Sequence, residues 1–304
     1  METLTKAYYT MRQTIKLSNR FGMNQMEALE RGKAHRSRLK QLVEKISLVK
    51  EGDKYPHLYF FSPPGLGKTF TVLNHLKDSG IRFVQVSGNV SMFAFGIQLA
   101  VINHLNPDRE NIVIFVDDCD EILKNEPNCN TMKNVLDGSK VFTYEKSLTS
   151  QWNNLSAIQQ EAIMHFQEDG KMGFSVPTDN LIFVFTSNFK LPVDDEVLAA
   201  REKGLSKSVL LSHRNAIRSR CRVSDFDLTM AEQWGWIADV VMNTNCLDYY
   251  QMAVMQKQII LDFLWYNWEF LTERSIRLVE KMAETMKEHP EAYKLLWEID
   301  FLKN

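Results

Sequence analysis

The chain has 304 residues, 44% of them hydrophobic and 24% charged, with a formal net charge of −2. That length supports one large core plus a smaller satellite domain, and the composition excludes disordered and fibrous classes. Cys119, Cys129, Cys221 and Cys246 show no CxxC spacing and no paired histidines nearby, which argues against a zinc site or a disulfide framework and for a reducing, cytoplasmic setting. No charged-then-apolar leader pattern opens the sequence. The most apolar C-terminal stretch, Ile259 to Leu271, is interrupted by Asp262, Asn267 and Glu269, so neither secretion nor membrane spanning is expected.

The first 50 residues hold eleven Lys or Arg and four acids, a local charge of +7 that leaves −9 for the remainder. Arg31, Lys33, Arg36, Arg38 and Lys40 form a basic cluster there. It either contacts nucleic-acid phosphates or is the solvated face of a helix whose other face is Leu39, Leu42, Val43 and Ile46, and the second reading is preferred. The segment is predicted to be mostly helical to about Val49, with Glu51-Gly52-Asp53 and Pro56 punctuating its junction with the first strand.

The apolar run Leu58-Tyr59-Phe60-Phe61 reads as that strand, and Ser62-Pro63-Pro64-Gly65-Leu66-Gly67-Lys68-Thr69 as a phosphate-cradling loop that opens a helix. In such a P-loop, backbone N–H groups and the helix N-terminus surround the β-phosphate, a Lys reaches the β- and γ-phosphates, and a Ser or Thr hydroxyl ligates Mg²⁺. Lys68 and Thr69 hold those two positions. The expected contact stretch is Pro64, Gly65, Leu66, Gly67, Lys68, Thr69 and Phe70. Gly65 and Gly67 stand where the backbone must approach phosphate with unusual φ/ψ, whereas Ser62 replaces the Gly that opens the consensus. A bare Gly-rich turn would not require Lys-Thr after Gly67, with Phe70, Val72, Leu73 and Leu76 continuing as a helix. The chain is therefore expected to bind a nucleotide with Mg²⁺.

Further strands are predicted at Phe83 to Val86, Ile112 to Val116 and Leu181 to Thr186, separated by helical stretches. Short apolar runs of this kind suit a parallel sheet buried on both faces, which gives an α/β fold with the nucleotide at the carboxyl ends of its strands. The run Ile112-Val113-Ile114-Phe115-Val116 ends in Asp117-Asp118, 49 residues after Lys68. This is a Walker B pattern. Asp117 is read as a ligand of the Mg²⁺ shell and Asp118 as the group that orients or deprotonates the attacking water. Capping of a helix that begins near Asp120 explains Asp120 and Glu121 better than it explains a doublet ending an apolar strand.

Residues 138 to 180 resist assignment: Ser147 to Gln160 is polar, and Glu168-Asp169-Gly170-Lys171 reads as a hairpin tip between short strands, either a solvated structural hairpin or an insertion reaching a ring's central pore. From about Thr229 onward no strand pattern competes with helix. Ile276, Val279 and Met282 after Thr272, and Ala292, Leu295 and Leu296, read as helices of a small bundle, with Trp234, Trp236, Trp265, Tyr266 and Trp268 as its core. The expected organisation is an N-terminal helical segment over 1–54, an α/β nucleotide-binding core over 55–228 and an α-helical lid over 229–304.

Taken together the chain resembles the AAA+ ATPase family, P-loop NTPases with this core and lid. Leu181-Ile182-Phe183-Val184-Phe185-Thr186-Ser187-Asn188 resembles the sensor 1 strand, which implies that Asn188 helps position the water beside the γ-phosphate of ATP. Ala216-Ile217-Arg218-Ser219-Arg220-Cys221 resembles the Ser-Arg-Cys motif of clamp-loader subunits, which implies that Arg220, with Arg218 and Arg222 as alternatives, is an arginine finger acting on a neighbouring subunit. Leu271-Thr272-Glu273-Arg274-Ser275-Ile276 resembles the sensor 2 helix, implying that Arg274, or Arg277 in the other register, lies near the γ-phosphate. Active members mostly carry Glu where this chain has Asp118, one methylene shorter, which implies slow hydrolysis. The look of Val116-Asp117-Asp118-Cys119-Asp120 and Met132-Lys133-Asn134-Val135-Leu136-Asp137 is similar to AAA+ proteins of tailed bacteriophages, for which the setting is the bacterial host cytoplasm.

The resemblance implies a homo-oligomeric ATPase that loads or remodels a partner in DNA replication or metabolism, with DNA or a DNA-bound protein meeting the basic N-terminal segment. The alternative is an assembly switch or scaffold in which ATP drives ring or filament formation and slow hydrolysis times disassembly. A P-loop kinase of small molecules is disfavoured, because no acceptor-site signature accompanies the loop.

Overall fold

The computed structural model describes residues 22–49, 53, 55–88, 90–118, 120–137, 140–168 and 172–303. Lys6, Arg12, Lys16, Arg20, Lys50, Cys119, Asp169, Gly170 and Lys171, all of which carry weight in the sequence, lie outside them. In chain order the described residues form α1 (Gln25–Glu44), β1 (His57–Phe61), α2 (Lys68–Asp78), β2 (Phe83–Ser87), α3 (Met92–His104), β3 (Ile112–Asp117), α4 (Glu126–Leu136) and β4 (Val141–Tyr144). Then come α5 (Ala157–Phe166), β5 (Phe174–Pro177), β6 (Leu181–Ser187), α6 (Asp194–Glu202), α7 (Ser208–Arg218) and β7 (Cys221–Asp225). The remaining helices are α8 (Met230–Asn243), α9 (Val254–Asn267), α10 (Ile276–Glu288) and α11 (Tyr293–Phe301). They fall into two compact units, one of Glu44–Ser62 and Val72–Asp225, the other of the described part of 1–43 with Pro63–Thr71 and Phe226–Asn304.

In the first unit, β2, β3, β6, β1 and β7 form a five-stranded sheet in that order, with every neighbouring pair parallel. The fold is thus the expected α/β P-loop NTPase arrangement. β3 and β6 sit inside the sheet with all but the last residue of β3 buried, as their unbroken Val, Ile and Phe runs require when helices cover both faces. Because the pairing is parallel, Phe61, Ser87, Asp117, Ser187 and Asp225 all come to one edge of the sheet.

Two strand expectations need correction. β7 was not predicted, because it is an edge strand whose burial alternates along Cys221-Arg222-Val223-Ser224-Asp225 and it carries no apolar run. The hairpin tip expected at Glu168-Asp169-Gly170-Lys171 lies mostly outside the described residues, and the strand pair that 138–180 does hold joins the two ends of the stretch around α5. β4 pairs antiparallel with β5, Phe142 opposite Val176, and Phe166 belongs to α5 and not to a strand. The polar run hides the helix start: the Ser156 N–H donates to Gln159 Oε1 at 2.9 Å, and behind that cap Ala162 and Ile163 are buried. Likewise Asp120–Leu123 is only a 3₁₀ turn, and the helix beyond it starts at Glu126, where the Asn125 side chain accepts from the Asn128 N–H at 3.0 Å.

The second unit is helical, with one antiparallel bridge, Leu271 to Leu302, among its described residues from 229 onward. α1 and α8 meet backbone to backbone: a Cβ on Gly235 would lie 1.8 Å from the Ala28 carbonyl oxygen. Next to that contact, buried Arg36 donates to Asp239 at 2.5 Å, and Asn243 donates to the other Asp239 oxygen at 2.7 Å. One member of the basic cluster is therefore an internal ion pair, while Lys33, Arg38 and Lys40 are exposed. Trp234, Trp236, Trp265 and Trp268 are buried as expected, but Tyr266 is 41% exposed and lies outside the core.

His57, the first residue of β1, is buried, and its Nδ1 accepts the Phe183 N–H at 3.1 Å. Burial first, and the charge of Lys140 second, lower its pKa from 6.5 to about 3. The unfolded chain therefore takes up this proton before the folded one. The stability His57 contributes is fully present above pH 6.5 and is lost as the pH falls towards about 3. We expect the denaturant midpoint to drop between about pH 7 and about pH 4, and His57→Asn, which keeps a neutral acceptor, to flatten that drop. An unchanged slope in chemical denaturation of the variant would contradict the assignment.

Candidate nucleotide site

The P-loop leaves the sheet at Ser62, buried, whose N–H donates to the Ser187 carbonyl at 3.4 Å. Gly65 and Gly67 have φ of +77° and +79°, the left-handed conformation that their positions predicted. At the start of α2 the Thr71 N–H and hydroxyl both bond the Gly67 carbonyl at 3.0 Å. Lys68 is buried and its Nζ donates to the Pro63 carbonyl at 3.1 Å. Thr69 comes next in the first turn of the helix, and Phe70 is half exposed.

Residues from the C-terminal helical stretch grip this loop. Trp236 Nε1 donates to the Leu66 carbonyl at 2.7 Å, and the Ile276 N–H donates to the Gly65 carbonyl at 2.9 Å. A Cβ on Gly65 would sit 2.2 Å from the Ser275 Cβ. Trp236 is 170 residues from Leu66 in the chain, so no local pattern could have announced the pair.

At the sheet edge, the β3–β6 register sets Asp117 opposite Thr186. The Thr186 hydroxyl donates to Asp117 Oδ1 at 2.5 Å. Asp118 then turns into the left-handed region, with φ of +54°, while its N–H still donates to the Thr186 carbonyl at 3.1 Å. That turn brings its carboxylate to Asn188, whose Nδ2 donates to Asp118 Oδ1 at 2.7 Å. Between these two pairs the Ser187 hydroxyl donates to Asp120. Three consecutive residues at the end of β6 thus each hold one carboxylate of the acidic motif. The polar Thr-Ser-Asn ending of an apolar strand was the available signal for Thr186 and Ser187. Asp117 and Thr69 offer carboxylate and hydroxyl oxygens, the hard donors that Mg²⁺ takes. Among the described residues no group of three or more His, Cys, Asp or Glu could hold a metal ion.

The arginines are less uniform. Arg220 lies between α7 and β7, where Nη2 meets Asp137 at 2.5 Å and Nη1 donates to the Ala216 carbonyl at 2.6 Å. Arg218 is tied to Asp225 at 2.7 Å and to the Leu191 carbonyl at 3.1 Å, and Arg222 is exposed on β7. Arg214, not anticipated, stacks on the Phe189 ring beside Asn188, 4.2 Å from its centre, and bonds the Leu123 carbonyl. Arg274 precedes α10 instead of lying within a helix. Its Nε donates to the Trp268 carbonyl at 2.8 Å and Nη2 to that of Glu269 at 3.2 Å. Ser275 caps α10 by accepting from the Leu278 N–H, and Arg277 is exposed in the first turn.

Residues 58–201 match the model of the ATPase family associated with various cellular activities (AAA). With the parallel sheet and its strand-end carboxylates, the match supports an ATPase of the AAA+ type. It runs from β1 into α6 and so includes the P-loop, the acidic motif and Asn188, but not Arg220 or Arg274. No curated protein sequence matches the chain. Among the described residues no helix is long and apolar enough to cross a membrane.

The grip on Gly65 makes a sharp expectation. Gly65→Ala must accommodate both a left-handed Ala, which costs about 1–2 kcal/mol, and a direct clash with Ser275. Gly80→Ala, with the same sign of φ and nothing within 4 Å, carries the backbone cost alone. Nucleotide titrations should show binding lost in the first variant and retained in the second. Equal affinities would mean that the loop does not need its close approach to Ser275.

Proposed function

We propose that the chain binds ATP with Mg²⁺ and hydrolyses it as a homo-oligomer, each protomer completing its neighbour's site. The observation that carries this reading is the clamped acidic motif, Asp117 with Thr186 and Asp118 with Asn188, at the edge of the sheet from which the P-loop departs. On this reading Pro64 to Phe70 bind the phosphates, and Lys68 exchanges the Pro63 carbonyl for the β- and γ-phosphate oxygens. Thr69 and Asp117 would hold Mg²⁺, whose positive charge would offset that of the phosphates. Asp118 accepts the proton of the attacking water and Asn188 keeps that carboxylate in place. Phosphoryl transfer asks mostly for such positioning and charge stabilisation.

Arg220 supplies the positive charge in trans. To do so it gives up Asp137 and the Ala216 carbonyl, its partners within the chain. That engagement, together with the short side chain of Asp118, favours the second reading on one point: turnover is slow until assembly withdraws Arg220 from Asp137, so ATP can act as an assembly signal. We assign the oligomer to loading or remodelling a DNA-bound partner, on its likeness to clamp-loader and bacteriophage proteins. Exposed Lys33, Arg38 and Lys40 are available to phosphates, and Arg36 is not.

The test mixes two variants. Arg220→Ala should bind ATP normally but hydrolyse it about 10³-fold or more slowly, the range seen for arginine fingers acting in trans. Lys68→Ala should bind none. Mixed together, one supplies an intact finger and the other an intact pocket, so part of the ATPase activity should return. No recovery where mixed oligomers demonstrably form, or an Arg220→Ala protein as active as wild type, would remove the shared-site model.

A further inference from the structure

We infer that Thr186 is a positioning residue for the cation: its hydroxyl sets the orientation of the Asp117 carboxylate and so tunes Mg²⁺ affinity. This rests on the proposed reading of Asp117 as an Mg²⁺ ligand. Thr186 is 2% exposed, so its hydroxyl cannot satisfy itself with bulk water, and it donates to Asp117 Oδ1 at 2.5 Å. The bond is not an accident of rotamers. Asp117 and Thr186 are register partners in a parallel pair, and their backbones are held in place by the Asp118 N–H to Thr186 carbonyl bond just beyond.

A carboxylate at a strand end can swing about two side-chain torsions, and each orientation presents different lone pairs to a cation. A fixed donor on one oxygen removes most of that freedom before the metal arrives. Partners that orient a metal ligand from behind commonly contribute 10–100-fold in metal affinity. The hydroxyl matters here, not the bulk of the side chain. Ser187 and Asn188 donate to other carboxylates, Asp120 and Asp118, whereas the Thr186 hydroxyl donates to Asp117.

The experiment titrates Mg²⁺ against a fluorescent ATP analogue bound to wild type, Thr186→Val and Thr186→Ser. Thr186→Val keeps the β-branched shape without the donor, and Thr186→Ser keeps the donor. We expect the Mg²⁺ concentration for half-maximal effect to rise about 10–100-fold in Thr186→Val and to return close to wild type in Thr186→Ser. Affinity in EDTA should be equal in all three, which separates a cation effect from a general loss of structure. If the Val variant does not fold, Thr186→Ala serves in its place. A Thr186→Val protein that titrates like wild type, or a Ser variant as deficient as Val, overturns the inference alone. Wild-type protein that binds no nucleotide with or without Mg²⁺ overturns the proposed function with it.

Discussion

The parallel register between β3 and β6 is the constraint on which the rest of the acidic centre depends. It lays Asp117 opposite Thr186, and from that pairing the neighbouring contacts follow. A one-residue slip would turn every side chain to the other face of the sheet and bury the carboxylates among the apolar residues of both strands. Unbroken apolar runs on β3 and β6 do not by themselves forbid such a slip, since both faces are buried anyway. The polar ends favour the observed register: in it the hydroxyls of Thr186 and Ser187 and the amide of Asn188 each donate to a carboxylate. The residues that specify the alignment are those to which the proposed function assigns the positioning of its carboxylates.

Asp118 shows how a backbone conformation is used to aim a side chain. A non-glycine residue at positive φ is disfavoured, though Asp is among the residues that tolerate it best. Continuing β3 in extended form would project residue 118 away from Asn188. The left-handed turn instead carries its carboxylate to that side chain while its N–H keeps the ladder bond to Thr186. The P-loop obeys a related logic within its own unit. Its glycines supply the conformation, and the carbonyls of Gly65 and Leu66 are paired to Ile276 and Trp236. The helical residues around Trp236 and Ser275 therefore shape the loop directly.

Much of this was legible in the sequence where the signal is local. The strands β1, β3 and β6 announce themselves because burial on both faces demands continuous apolar residues, and the loop from Ser62 to Thr69 because phosphate contact restricts which residues fit. β7 was illegible because an edge strand alternates and borrows its apolar partner from β1. α5 was hidden by the polar residues of its own cap. The pairs that organise the site span long separations: Asp117 to Thr186 covers 69 residues, and Arg220 to Asp137 covers 83. Sequence spacing carries no information about them until the register is known. Arg274 illustrates the opposite hazard, since the motif around it reads as a helix although α10 begins only after Ser275.

The central claim is that the clamped acidic motif is a centre of ATP hydrolysis with Asp118 as its proton acceptor. Asp118→Asn tests it most directly, because the amide keeps the shape and the contact with residue 188 while removing the base. Steady-state phosphate release and equilibrium ATP binding, measured on the same preparations, should show turnover falling by about 10²-fold or more with binding unchanged, within the range for loss of a general base. Hydrolysis at the wild-type rate by Asp118→Asn would contradict the account.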